Sequence, residues 1–72
     1  MSVNPLGEHY KSRRKELRIT QPQLAELAKV SVQTIYKLER GVGNPTLDTL
    51  IKISDVLGME LTLTTKSIIN RQ

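Results

Sequence analysis

Apolar residues recur at helical spacing along most of this chain and then, near its end, begin to alternate. Leu6, Tyr10 and Leu17, with the aliphatic stem of Arg13 or Arg14 between them, share one stripe and predict a first helix from Leu6 or Gly7 to Leu17. Leu24, Leu27 and Ala28 form the apolar face of a second helix, opening after Thr20. Ile35 and Leu38 point inward from a third. Leu47, Leu50, Ile51, Ile53, Ser54 and Leu57 set the buried face of a fourth. From Glu60 to Thr65 the period drops to two and threonine becomes frequent, which predicts a strand.

The residues between these stretches punctuate them. Thr20, followed three positions later by Gln23, is a capping-box pattern, and Pro22 falls in the first turn, where its missing N–H costs nothing. Lys29 and Val30 make a turn, and Ser31 is a good N-cap for the third helix. Gly41 supplies the left-handed residue that ends it. Pro45 disfavours helix at Asn44. Thr46 then caps the fourth helix, Asp48 lies in its first turn, and Gly58 ends it.

The expected fold is all-α: a compact four-helix domain over residues 6–58 whose second and third helices form a helix-turn-helix. A flexible lead occupies residues 1–5. A short C-terminal β-strand occupies 59–65, and the tail 66–72 takes no assignment. One strand in a helical chain must pair its backbone groups somewhere. The simplest partner is the same strand of a second copy, antiparallel about a two-fold axis, with Leu61 and Leu63 on it. The alternative is an extended tail without a partner.

Composition narrows the function. Seventy-two residues make one small domain with a modest core. There is no cysteine, so neither a disulfide nor a thiolate metal site can form, and His9 is the only histidine. No metal or other cofactor is expected. Eleven Lys and Arg against seven Asp and Glu leave a net charge of +4, which favours a polyanionic partner, nucleic acid or an anionic surface. No apolar run approaches the roughly 20 residues of a membrane span. The N-terminus lacks a signal-peptide pattern, so a cytoplasmic location is expected. Glu39 has no second acid, histidine or nucleophile to work with, and an enzyme is not expected.

With Ile35 and Leu38 turned inward, the third helix presents a set of side chains suited to a DNA groove. Gln33 can pair with an adenine edge, Lys37 can reach guanine acceptors or a phosphate, and Val32 can touch a thymine methyl. Ser31 and Thr34 are short phosphate donors. Gln21, opening helix 2, can touch the DNA backbone and brace Gln33. Tyr36 either meets a sugar or phosphate or packs against the protein. Arg14 on the inner side of helix 1 and Glu39 near the end of helix 3 are placed for a partly buried bridge.

On these positions the chain resembles the Xre family of helix-turn-helix regulators related to the lambdoid phage repressors. The resemblance runs from about Leu6 to Leu57. It is carried by Arg14, Leu17, Thr20, Gln21, Leu24, Ala25, Leu27, Ala28, Val30, Ser31, Ile35, Leu38, Glu39, Gly41, Pro45, Leu47, Leu50, Leu57 and Gly58. It implies a DNA-backbone contact at Gln21, base reading at Val32, Gln33 and Lys37, and a buried bridge between Arg14 and Glu39. It also implies phosphate contacts from Arg40 and from Val42 to Asn44. Where the family often has glycine, this chain has Arg18 and Lys29, so slightly altered turns are expected there. The segment Glu60–Thr65 resembles the branch with HipB-type antitoxins, in which paired C-terminal strands seal the dimer and the partner is a kinase-like toxin.

The function expected is a sequence-specific transcriptional repressor. It would bind a palindromic operator as a homodimer and serve as the antitoxin of a toxin–antitoxin operon. The alternatives are a solitary regulator and a protein-interaction module that has kept the fold and lost specific DNA reading.

Overall fold

A computed structural model describes residues 5–62. Four helices follow in order: α1 (Pro5–Glu16), α2 (Gln21–Ala28), α3 (Val32–Arg40) and α4 (Leu47–Leu57). Three of them open on a hydroxyl. Thr20 Oγ1 accepts from the Gln23 N–H at 3.1 Å while Gln23 Oε1 accepts from the Thr20 N–H at 2.7 Å, completing the capping box. Ser31 and Thr46 accept from the N–H of Thr34 and Thr49, both at 3.1 Å. Each such cap stabilises its helix by about 1 kcal/mol.

The helix ends separate into two kinds. α3 and α4 end on Gly41 and Gly58 with φ of 78° and 71°. The chain after α1 and α2 turns through Arg18 and Lys29, with φ of 58° and 60°. The altered turns expected at Arg18 and Lys29 are therefore not found. The backbone at both residues adopts the left-handed conformation that glycine would take, because Ile19 N and Val30 N still close the turn onto Arg14 O and Ala25 O at 3.3 and 3.0 Å.

Tyr10, Leu24, Ala25, Ala28, Ile35, Leu38, Ile53 and Leu57 form the core. α3 lies against α1 and α2, and α4 against α1 and α2. α1 packs closely on α3 at Gly7. A Cβ there would stand 2.4 Å from Leu38 O and 2.8 Å from Glu39 O, so only glycine fits. The one polar group deep in α4 is paired. Tyr10 OH shares a hydrogen bond with Ser54 Oγ and donates to Leu50 O at 3.2 Å. Arg13 Nε donates to Leu57 O at 2.8 Å and closes the end of α4.

Several sequence expectations need correction. α1 starts at Pro5 and stops at Glu16, and Leu17 lies half-exposed beyond its last turn. Leu27 is 60% exposed, because α2 buries Leu24, Ala25 and Ala28, and at about 100° per residue Leu27 falls well to the side of that arc. Ala25, not Leu27, completes the face. In α4, Ile53, Ser54 and Leu57 are buried and Leu50 half-buried, whereas Leu47 is 65% and Ile51 43% exposed. Ile51 lies off the buried arc, and Leu47 lies in the first turn, away from the core.

The C-terminal strand is also corrected as far as it is described. Residues 59–62 leave α4 with no regular structure, and no strand occurs among the described residues. Among the described residues this segment has no neighbouring strand edge to pair with, so its alternating pattern alone forms no ladder there. Leu61 is instead partly exposed beside Leu6, Leu47, Leu50, Ile51 and Met59 along an open apolar groove of about 610 Å³. Leu63, the tail 66–72 and the lead 1–4 lie outside the described residues.

Candidate nucleic-acid interface

α3 divides into two faces along its nine residues. Ile35, Leu38 and Glu39 are buried, while Val32, Gln33, Tyr36, Lys37 and Arg40 are exposed. The division follows from helical periodicity: the inward residues lie three and four apart, and the residues between them face out. Every base-reading candidate, Val32, Gln33 and Lys37, therefore falls on one free surface. Among the described residues neither Lys37 nor Arg40 has an acidic partner, since the three ion pairs are Arg13–Glu16, Arg14–Glu39 and Asp48–Lys52. Both cations remain available to a polyanion.

The backbone-contact candidates surround this face. Ser31 Oγ and Thr34 Oγ1 are 2.8 Å apart, so one hydroxyl proton joins them and the other stays free to donate outward. They stand at the N-terminus of α3, where unpaired backbone N–H groups and the helix dipole favour an anion. Along one side of α3 and into the loop after it, Thr34, Lys37, Val42, Gly43, Asn44 and Pro45 line a shallow recess. Asn44 is exposed there. Tyr36, whose orientation the sequence left open, points outward. The Arg40 guanidinium lies 5.2 Å from its ring centroid, a stacking distance for a cation on an aromatic face. The sequence held a sign of this contact, because residues 36 and 40 are one helical turn apart.

Beneath this candidate interface lies the bridge. Arg14 Nε donates to Glu39 Oε2 at 2.7 Å and Nη2 to Oε1 at 3.0 Å, a bidentate pair joining α1 to α3. Arg14 Nη1 also donates to Ile19 O at 2.9 Å, tying in the turn before α2. The hydrogen bonds to Glu39 raise the Arg14 pKa above its ordinary value, and burial opposes them. Gln21 behaves differently from expectation. It does not brace Gln33; its Nε2 donates to Glu39 Oε1 at 3.0 Å. Sequence spacing could not show this, because the contact depends on how α2 sits against the end of α3.

No group of histidine, cysteine or carboxylate side chains able to hold a metal occurs among the described residues. No helix there is long and apolar enough to cross a membrane.

The helix-turn-helix family profile, HTH_3, matches residues 11–63. The chain belongs to this Xre-like helix-turn-helix family. Its similarity to individual proteins covers the same region. A Methanococcus vannielii protein named as an HTH-type transcriptional regulatory protein is 41% identical over 59 residues, 82% of this chain and 18% of that protein. The immunity repressor protein of Bacillus phage phi105 is 39% identical over 56 residues, 78% of this chain and 39% of the repressor. An HTH-type transcriptional regulator of Methanothermobacter thermautotrophicus is 47% identical over 47 residues, 65% of this chain and 68% of that regulator. The chain thus spans about a fifth of the length of the Methanococcus relative and a larger share of the other two.

Proposed function

We propose that this protein is a transcriptional repressor that binds a specific DNA sequence with α3 in the major groove. The observation that carries the reading is the outward face of α3. It gathers Val32, Gln33 and Lys37 for base edges and leaves Lys37 and Arg40 without acidic partners. Phosphate contacts fall to Gln21, Ser31, Thr34, Tyr36, Arg40 and Asn44, which flank that face. The similarity to a phage immunity repressor supports repression as the outcome. A bound domain of this size blocks a promoter by occupying it.

The repressor acts as a homodimer on a palindromic operator, with half-sites about one turn apart. Support comes from the exposed apolar residues Leu47, Ile51 and Leu61, which lie away from α3 and would leave it free when covered. Within this reading the protein serves as the antitoxin of a kinase-like toxin. That narrower role rests on the Glu60–Thr65 pattern alone, and co-purification with the product of a neighbouring reading frame tests it.

Selection of bound duplexes from a random library at about physiological salt tests the main proposal, because non-specific phosphate binding is weakened there. The expected product is a palindrome with half-sites about one turn apart. Binding that vanishes as salt rises, with no enriched sequence, would favour a protein-interaction module instead.

A further inference from the structure

Glu39 makes one contact more than an ion pair requires. Its buried carboxylate accepts two hydrogen bonds from Arg14 and a third from Gln21 Nε2. An ionised carboxylate only accepts, so the Gln21 amide has no choice of orientation. Its nitrogen must face Glu39, since its own oxygen would meet a second oxygen there. One of the two Nε2 hydrogens is spent on this bond. The other has no partner among the described residues, and Gln21 is only half-buried, so one side of the amide is open. Gln21 is the first residue of α2, beside the unpaired N–H groups and positive dipole end of that helix.

We infer that Glu39 is a positioning residue for DNA-backbone recognition. It locks the Gln21 carboxamide so that the second N–H is presented to a phosphate at the start of α2. Arg14 takes part by neutralising a carboxylate that would otherwise repel that phosphate. The bridge thereby becomes part of the binding machinery as well as of the fold, and it carries α1 into recognition although α1 reads no base. Fixing the glutamine beforehand also removes rotamer freedom that a loose side chain would lose on contact. The inference rests on the DNA-binding reading above.

The test is a two-position cycle on the full chain, using the duplex recovered by selection, at a temperature where circular dichroism shows each variant folded. Glu39→Gln keeps the shape of the side chain but lets the neighbouring amide turn over. It should weaken binding roughly five-fold, the scale of one modest hydrogen bond. In a Gln21→Ala background the same change should have no further effect. A methylphosphonate replacing the contacted phosphate should weaken the wild type and leave Gln21→Ala unaffected. An equal loss from Glu39→Gln with or without Gln21 would mean a merely structural role and overturn the inference.

If Glu39→Gln does not fold, Gln21→Met keeps the length and the bridge but has no N–H, and it should show the same insensitivity to methylphosphonate. In the wild type, the Gln21 side-chain amide should be as ordered as the backbone by 15N relaxation before DNA is added. A freely rotating amide would overturn the lock. Duplex binding without coupling between the two positions defeats this inference alone. No duplex binding at all defeats the DNA reading and the inference with it.

Discussion

Helices α3 and α4 begin on a hydroxyl cap, Ser31 or Thr46, and end on a left-handed glycine, Gly41 or Gly58. Each buries a short apolar arc, Ile35 and Leu38 in one, Ile53 and Leu57 in the other. Their outward faces part company. α3 shows Gln33, Lys37 and Arg40 to solvent, while α4 shows Leu47 and Ile51 flanked by the Asp48–Lys52 pair at 3.4 Å. The caps and inward residues specify where each helix starts, stops and sits. The outward residues select what it meets. A hydrated, negatively charged groove suits the face of α3, whereas an apolar face gains only by being removed from water.

α3 is tied to α1 by the buried Arg14–Glu39 bridge, and α4 has no buried ion pair among the described residues. Arg14→Leu should leave the Glu39 carboxylate buried without its cation and cost about 3–5 kcal/mol of stability. Chemical denaturation would measure it, and a loss under about 1 kcal/mol would show that water reaches Glu39. Arg14 keeps its raised pKa only in the folded state, so its share of stability is complete below the unfolded value and is lost only as pH climbs through the higher folded one. That window lies in strong alkali, and Arg14 itself imposes no pH dependence near neutrality.

The outward face of α4 gives the next largest effect. Ile51→Lys should leave the monomer's stability nearly unchanged, since the side chain is already half-exposed. If a second copy covers it, the dimer should weaken by about 2 kcal/mol, the scale of burying one large aliphatic side chain. Sedimentation equilibrium would report the shift. An unchanged association constant would place the dimer seam elsewhere.

On α3 the corresponding changes test the proposed DNA face. Gln33→Ala should cost about 1–3 kcal/mol on the selected duplex and relax preference at one or two base pairs. An unaltered site preference would remove Gln33 from the readers. Arg40→Ala should weaken binding to all sequences alike and lower the salt slope by about 1, if Arg40 makes the one phosphate contact proposed for it. Since Arg40 rests on Tyr36, Tyr36→Leu should lower binding in the same sequence-independent way through loss of both the stacking ring and the hydroxyl, whereas Tyr36→Phe keeps the ring and should lose only the phosphate contact of the hydroxyl, a smaller effect.

The existence of all four helices, and the starts of α2, α3 and α4, were legible in the sequence because caps and glycines act locally. The Thr20–Gln23 box, Ser31, Thr46, Gly41 and Gly58 each depend on residues only a few positions away. What could not be read were choices made by tertiary contact. Leu27, Leu47 and Ile51 look like core from hydrophobicity alone, yet the helices bury a neighbouring arc. Gly7 looks like an ordinary helix-start glycine until α3's carbonyls arrive against it. The Arg14–Glu39 pairing followed from two charges on inward faces, but the turning of Gln21 toward Glu39 required the angle between α2 and α3. For the same reason the outward set on α3 was foreseeable and its bracing was not.

The smallest predicted effect concerns the end of α2, where the chain departs from the pattern of α3 and α4. Lys29 takes φ of 60° where those helices use glycine. A side-chain-bearing residue in that conformation costs about 1–2 kcal/mol, and glycine returns part of this through its greater freedom when unfolded. Lys29→Gly should therefore stabilise the domain by about 0.5 kcal/mol, raising the melting temperature by about 2–4 °C. Lys29→Ala separates the backbone contribution from the side chain, because it keeps the strain and discards the ammonium group. If glycine stabilises and alanine does not, the turn carries backbone strain. If glycine destabilises, the lysine stem must be covering apolar surface beside α2, and the three helix ends differ in more than their terminal residue.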